Sequence, residues 1–96
     1  MRGQAGASEA KAAFERAVRA ERGAIERHEA AARQQDEIAD KLERQAAREI
    51  DQFLRNATRA RAASAHARAG AARERADRAR QRLREEGLDP INEDGR

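Results

Sequence analysis

Small apolar residues recur at alternating intervals of three and four through the second half of this 96-residue chain. These intervals are those of positions a and d in a coiled-coil heptad, so they predict a helix with a narrow contact seam. Because alanine is the smallest side chain that a helix can carry without losing propensity, such a seam permits close approach of a second helix. The seam comprises Ala62, Ala65, Ala69, Ala72, Ala76, Ala79 and Leu83.

Basic residues flank the alanine seam on both sides, in steps of seven, at the e and g positions that select partners in coiled coils. Such a face repels a copy of itself and attracts an acidic surface, so we predict a partner site at Arg59, Arg61, Arg68, Arg73, Arg75, Arg80 and Arg82. The first half of the chain offers acidic residues at Glu15, Glu29, Asp36 and Glu43, so the partner is either another protein or this chain itself. The "His66 row" is Arg59, His66, Arg73 and Arg80, and the "Arg68 row" is Arg61, Arg68, Arg75 and Arg82.

Composition excludes an ordinary globular core. Leu, Ile, Val and Phe together number 11, and Tyr, Trp and Cys are absent, whereas the good helix formers Ala, Arg, Glu and Gln dominate. We therefore expect an all-α, coiled-coil-like protein that gains stability by self-association, most simply as a homodimer. The absence of cysteine excludes disulfides. No apolar run approaches the roughly 20 residues of a membrane span, so we expect a cytoplasmic protein without a membrane role.

Charge is distributed unevenly along the chain. The net charge of +3 combines a nearly neutral first half, a strongly basic stretch up to Arg84 and an acidic end. Ser8 is a suitable helix N-cap, and Gly87 followed by Pro90 is a suitable stop. These signals divide the chain into a disordered N-terminus (1–8), a helical region (9–86) and an acidic tail (87–96). Within the helical region, 9–57 is the oligomerisation part with an apolar seam and 58–86 is the basic Ala/Arg part.

Nearly all bulky apolar residues lie in the first half, and their spacing is almost a mirror about residue 34. One arrangement that uses this symmetry is an antiparallel dimer of two continuous helices; the other is a helical hairpin that bends around 30–35. The sequence from Ala30 to Gln35 favours unbroken helix, and hence the dimer. The predicted oligomer seam is Phe14, Val18, Ile25, Leu42, Ile50, Phe53 and Leu54.

No pattern in the sequence indicates catalysis. Neither His28 nor His66 has a metal-ligating residue three or four positions away, as a helical metal pair requires. The carboxylates between Asp36 and Glu43 are typical of a solvated charged face, and no serine or threonine has a base within helical reach. We therefore expect no enzymatic activity, no bound metal and no cofactor.

The function that these patterns favour is a non-catalytic interaction, scaffold or adaptor module. It would self-associate and present its arginine-lined face to an acidic protein partner. The alternative is a small, sequence-tolerant protein that binds DNA or RNA, because arginine rows also neutralise phosphates. Against that alternative, the basic segment contains no aromatic residue on which bases could stack. A GC-rich genome would also enrich alanine and arginine, so the placement of the arginines carries more information than their number.

Overall fold

A computed structural model describes the backbone of residues 2–86 and the side chains of residues 6–86. The chain forms two α-helices, α1 (Arg2–Arg48) and α2 (Gln52–Glu85), which pack antiparallel along their lengths. The hairpin is elongated, with extents of 76 × 30 × 14 Å. The prediction of an all-α, coiled-coil-like protein is confirmed, and of the two arrangements that the sequence left open the chain forms the helical hairpin. Within residues 2–86, neither helix has an apolar stretch long enough to cross a membrane.

The chain reverses direction at Glu49, Ile50 and Asp51. Asp51 is the N-cap of α2: its backbone is extended (φ −72°, ψ 121°) and its Oδ1 accepts a hydrogen bond of 3.0 Å from the backbone N–H of Leu54. Arg55 donates from Nε to the carbonyl of Glu49 at 3.2 Å and from Nη2 to the carbonyl of Ile50 at 3.3 Å. Asp51 thus supplies an acceptor to an N–H group in the first turn of α2, and Arg55 supplies donors to two carbonyls of the turn. These bonds stabilise the turn without glycine or proline.

The position of this turn corrects two predictions. The favoured single continuous helix is wrong, since α1 ends at Arg48. The bend expected around 30–35 is also wrong, because α1 runs through Ala30–Gln35 without interruption, as the local helix propensity of that segment requires. The mirror-symmetric pairing of the first half with itself is therefore not formed within the chain.

The alanine seam of α2 is buried, and α1 covers it. Its residues Ala65, Ala69 and Ala79 are fully inaccessible, and Thr58 extends the buried face toward the turn. From α1, one residue per heptad is buried on the same interface: Ile25, Ala32, Ala39 and Ala46. Two apolar clusters span the helices, one of Ile25 with Ala76, Ala79 and Leu83, against which Val18 packs, and one of Ala32 with Ala69 and Ala72.

The residues of the predicted oligomer seam divide into two groups in the hairpin. Val18 and Ile25 pack against α2, and Leu42 is half-buried. The others are exposed large hydrophobic residues, so their role in self-association stays a prediction: Phe14 (50%), Ile50 (91%), Phe53 (80%) and Leu54 (50%).

The two helices differ in length. α1 has 47 residues and α2 has 34, so α1 extends beyond Glu85, the last residue of α2, and Phe14 lies on this extension. α1 begins at Arg2, ahead of Ser8, where the sequence indicated a cap. The predicted stop at Gly87 and the acidic tail (87–96) lie outside the described residues.

Candidate functional site

One long edge of the hairpin carries ion pairs between the helices. His66 Nε2 lies 2.9 Å from Glu43 Oε1, and His66 Nδ1 lies 3.5 Å from Asp36 Oδ1. Arg73 pairs with the same Asp36, and Arg80 pairs with Glu29. We name this the "paired edge": Glu29, Asp36 and Glu43 of α1 with His66, Arg73 and Arg80 of α2.

The paired edge follows one antiparallel register. Each step of seven residues from Glu43 to Asp36 to Glu29 in α1 is matched by a step of seven from His66 to Arg73 to Arg80 in α2. The acidic surface that faces the His66 row therefore belongs to the same chain. Arg80 also contacts Asp77 of its own helix, at 3.2 Å.

Protonation equilibria at the paired edge follow from these contacts. The hydrogen bond from Arg73 lowers the pKa of Asp36 below its usual 3.8, more than partial desolvation raises it. The hydrogen bond to Glu43 raises the pKa of His66 above its usual 6.5, and Asp36 adds to this shift. Both shifts favour the charged forms, so His66 and Asp36 are both ionised between pH 3.8 and pH 6.5.

A group of potential metal ligands also lies on this edge. Donor atoms of Asp40, Glu43 and His66 lie within 4.8 Å of one another, and all three residues are exposed. His66 has no ligating neighbour within its own helix, whereas folding brings it beside carboxylates of α1. A metal ion would need neutral His66, but the neighbouring carboxylates raise its pKa and favour the proton. The ion pairs of His66 with Glu43 and Asp36 use the same ring nitrogens that a metal ion would need.

The opposite edge is different, because most of its arginines have no carboxylate within reach. Arg82 pairs with Glu21, through Nη2 at 2.6 Å and Nε at 3.1 Å. Arg61, Arg68 and Arg75 are exposed, and they form no ion pair with any residue in the part of the chain that the structure describes. We name this the "open edge". Arg59, which continues the His66 row toward the turn, is likewise exposed and unpaired among residues 6–86.

Three arginines of the open edge are unpaired because the α1 residues that face them carry no carboxylate. The heptad row of α1 that faces the Arg68 row is half-buried and comprises Glu21, His28, Gln35 and Leu42, of which Glu21 pairs with Arg82. The next row outward on α1 contains no charged residue, and we name it the "apolar strip". Leu54, seven residues before Arg61 on α2, is 50% exposed. Ile38 is 37% exposed, Ala24 is half-buried and the other two residues of the strip are exposed. The apolar strip comprises Ala17, Ala24, Ala31 and Ile38.

A second basic row borders the apolar strip on its other side, on α1. Arg27, Lys41 and Arg48 occupy the adjacent heptad position, with Gln34 between them, and all are exposed. None of the three basic residues has an ion pair within residues 6–86. Sequence reasoning missed this row. Placing the first half of the chain in the heptad register of the second half would have found it.

The seven predicted partner-binding arginines are thus divided by the fold. Arg73 and Arg80 lie on the paired edge and Arg82 pairs with Glu21, so these three serve contacts inside the hairpin. The other four, Arg59, Arg61, Arg68 and Arg75, are exposed and form no ion pair within residues 6–86. Comparison of the chain with protein-family models, with curated proteins and with solved structures finds no match in any of the three.

Proposed function

We propose that the protein is a non-catalytic interaction or adaptor module that binds an acidic protein partner through the open edge. The observation that supports this is the contrast between the two arginine rows. In the His66 row, residues 66, 73 and 80 are neutralised by carboxylates of α1. In the Arg68 row, Arg61, Arg68 and Arg75 stay unpaired within residues 6–86.

The geometry of the Arg68 row suits a periodic partner. Arg61, Arg68 and Arg75 are seven residues apart, so successive guanidinium groups start about 10 Å apart along one line of the helix. Their charges are held by a rigid helix whose seam is packed against α1. An acidic surface with carboxylates at a similar spacing would pair with all three at little further cost in conformational entropy.

The test uses poly-L-glutamate as the acidic probe. We expect it to bind the protein, and we expect Arg61→Glu/Arg68→Glu/Arg75→Glu to weaken binding about 30-fold or more, because three attractions become repulsions. The matched control, Arg16→Glu/Arg33→Glu/Arg44→Glu, makes the same charge change at exposed arginines away from the open edge. Circular dichroism should show both variants to be helical. Equal losses in the two variants would show that only net charge matters and would contradict the proposal.

The alternative, binding of DNA or RNA, is tested on the same proteins. Fluorescence anisotropy with short DNA and RNA duplexes from ~50 to ~200 mM salt would detect phosphate contacts as a steep loss of affinity. We expect duplexes to bind more weakly than the acidic polypeptide at the higher salt concentration. Tight duplex binding that depends on Arg61, Arg68 and Arg75 would favour the nucleic-acid function instead.

A further inference from the structure

The paired edge repeats one arrangement of three residues in successive heptads. Each repeat has a carboxylate of α1, the residue of α1 three positions before it on the same side of the helix, and the residue of α2 that pairs with the carboxylate. Beginning nearest the turn, the repeats are Asp40 and Glu43 with His66, Arg33 and Asp36 with Arg73, and Glu26 and Glu29 with Arg80. Of these three, only the first combines two carboxylates with a side chain that has a lone pair to share, because a guanidinium group has none.

The donor atoms of this first repeat converge on one point. Asp40, Glu43 and His66 each have a donor atom within 4.8 Å of the other two, and His66 Nε2 lies 2.9 Å from Glu43 Oε1. Ligands about 2.1 Å from a tetrahedral zinc ion are roughly 3.4 Å from one another. Movements of about 1 Å would therefore bring the three donors to that spacing, and exposed side chains make such movements by small rotations within a rotamer.

The ring of His66 is already oriented as in metal-binding histidines. Its Nε2 is directed at Glu43, while Nδ1 lies 3.5 Å from Asp36 Oδ1. Asp36 is held in turn by Arg73. A ligating histidine almost always donates its second ring N–H to a carboxylate, a carbonyl or water, which fixes its tautomer and its orientation. Asp36 supplies such a carboxylate and is not itself one of the three ligands.

The cluster also has negative charge that the hairpin does not compensate. The side chain of Asp40 forms no ion pair and no hydrogen bond with any residue in the described range 6–86. Because Arg73 pairs with Asp36, the carboxylates of Asp40 and Glu43 have only His66 as a positive neighbour in this repeat. A proton on His66 balances one of these two charges, whereas a divalent cation at the same Nε2 would balance both.

We propose that Asp40, Glu43 and His66 bind a divalent transition-metal cation such as Zn²⁺. Imidazole together with carboxylates suits Zn²⁺ and its first-row neighbours, whereas Mg²⁺ and Ca²⁺ prefer oxygen ligands alone. Three protein ligands leave a fourth position for water, and all three residues are exposed, so the bound cation exchanges with the solvent. Spacing along the sequence did not predict this site, because its ligands come from two helices.

The cation would act as a reversible link between α1 and α2. It binds residues that only the folded hairpin brings together, so it stabilises the folded chain by mass action. The site lies on the opposite edge of the hairpin from Arg61, Arg68 and Arg75 and does not depend on the proposed function.

The test uses Zn²⁺ as the probe, on the full chain without a histidine tag. Isothermal titration calorimetry at about pH 8, where an unperturbed histidine is neutral, should show one Zn²⁺ bound per chain. The midpoint of thermal unfolding, followed by circular dichroism, should rise by at least about 5 °C when free Zn²⁺ is about a hundredfold above its Kd. Mg²⁺ at the same concentration should leave the midpoint within about 1 °C of that of the metal-free chain.

Two variants and a matched control locate the ligands. His66→Arg introduces the residue that the other two repeats already contain, so it keeps a positive partner for Glu43 but has no lone pair. Asp40→Ala removes a carboxylate that has no partner within residues 6–86. We expect both to remain helical and to bind Zn²⁺ at least about tenfold more weakly, because each lacks one of three ligands. The control Glu26→Ala removes an exposed carboxylate two heptads from Asp40 in the same row, and its Zn²⁺ affinity should be unchanged.

Three results would overturn this site. One is the absence of both a binding heat and a rise in the midpoint with Zn²⁺ at ~1 mM. Another is binding of Zn²⁺ by His66→Arg as tight as that of the wild type, because His66 would then not be a ligand. The third is an equal loss of affinity in Glu26→Ala or an equal rise with Mg²⁺, because cations would then act on the acidic surface in general. None of these results alters the binding of poly-L-glutamate that the open edge predicts.

Discussion

His66 lies among carboxylates of the facing helix at the paired edge. Its ring contacts Glu43 and Asp36, and Asp40 is close to it. On α2, the charged neighbours in its own row are Arg59 and Arg73, each seven residues away. When protonated, His66 donates a hydrogen bond from each ring nitrogen, so its positive form links two carboxylates of α1 to α2.

We expect the stability of the hairpin to decrease as the pH rises above 6.5. The pKa of His66 is raised above 6.5 in the folded chain, so its contribution to the free energy of unfolding is fully present below pH 6.5. That contribution is lost as the pH rises through the raised pKa of His66 in the folded chain. Asp36 has the opposite pH dependence, because its pKa is lowered in the folded chain. Its contribution to the free energy of unfolding is present above pH 3.8 and is lost as the pH falls through the lowered pKa of Asp36.

Thermal unfolding followed by circular dichroism measures both effects. The midpoint temperature should be highest between pH 3.8 and pH 6.5, and it should decline on the alkaline side. In His66→Gln, which can still donate a hydrogen bond but cannot become charged, the alkaline decline should be absent. An identical decline in His66→Gln would assign the pH dependence to another group.

At the scale of the helices, alanine both forms α2 and determines how it packs. Alanine has the highest helix propensity and loses no side-chain rotamers, so the Ala/Arg segment is helical without bulky residues. The same small side chain leaves no room at the interface, where Ala65 and Ala39 are both 0% exposed. Gln35 of α1 is less well accommodated, since its Oε1 is buried and accepts no hydrogen bond. Such an unsatisfied acceptor costs about 1–3 kcal/mol.

Enlarging the seam should therefore destabilise the hairpin. We expect Ala65→Leu to lower the free energy of unfolding by about 1–3 kcal/mol, because the larger side chain forces the helices apart. The control is Ala67→Leu, which makes the same change at an exposed position two residues away and should stay within about 0.5 kcal/mol of the wild type. Urea denaturation compares the two. An Ala65→Leu midpoint at or above that of Ala67→Leu would show that the seam is loosely packed.

At the scale of the whole molecule, two helices in a single pair cannot bury every apolar residue of α1 and the turn. Each helix covers one stripe of the other, and the remaining hydrophobic residues face outward. Ile50 and Phe53 are the most exposed of these and lie together at the turn, at one end of the 76 Å hairpin. Exposed hydrophobic residues that are grouped in this way are typical of contact sites.

We expect the protein to self-associate through the turn, and we expect this association to depend on Ile50 and Phe53. Light scattering should then show a mass above the 10.7 kDa of one chain for the wild type and the mass of one chain for Ile50→Ser/Phe53→Ser. Circular dichroism should stay helical, because neither side chain is packed in the hairpin. A wild-type mass of one chain at every concentration would contradict self-association. An unchanged oligomer in the variant would place the contact elsewhere.

The sequence by itself determined the helical state, the buried face of α2 and the complementary rows of charge. These are local properties: propensity makes the helix, and heptad spacing puts Ala65, Ala72 and Ala79 on one face. It also placed Glu29, Asp36 and Glu43 at the right interval to face a basic row. Each of these inferences needs only the geometry of a single helix.

Only the tertiary structure decided where the chain turns and which arginines stay available. Asp51 and Arg55 stabilise a turn without glycine or proline, and local propensity alone does not distinguish Glu49–Asp51 from ordinary helix. The turn sets the register, which places carboxylates opposite His66, Arg73 and Arg80 but His28, Gln35 and Leu42 opposite Arg75, Arg68 and Arg61. Whether an arginine is paired depends on the residue facing it across the seam, and that residue is known only once the two helices are aligned.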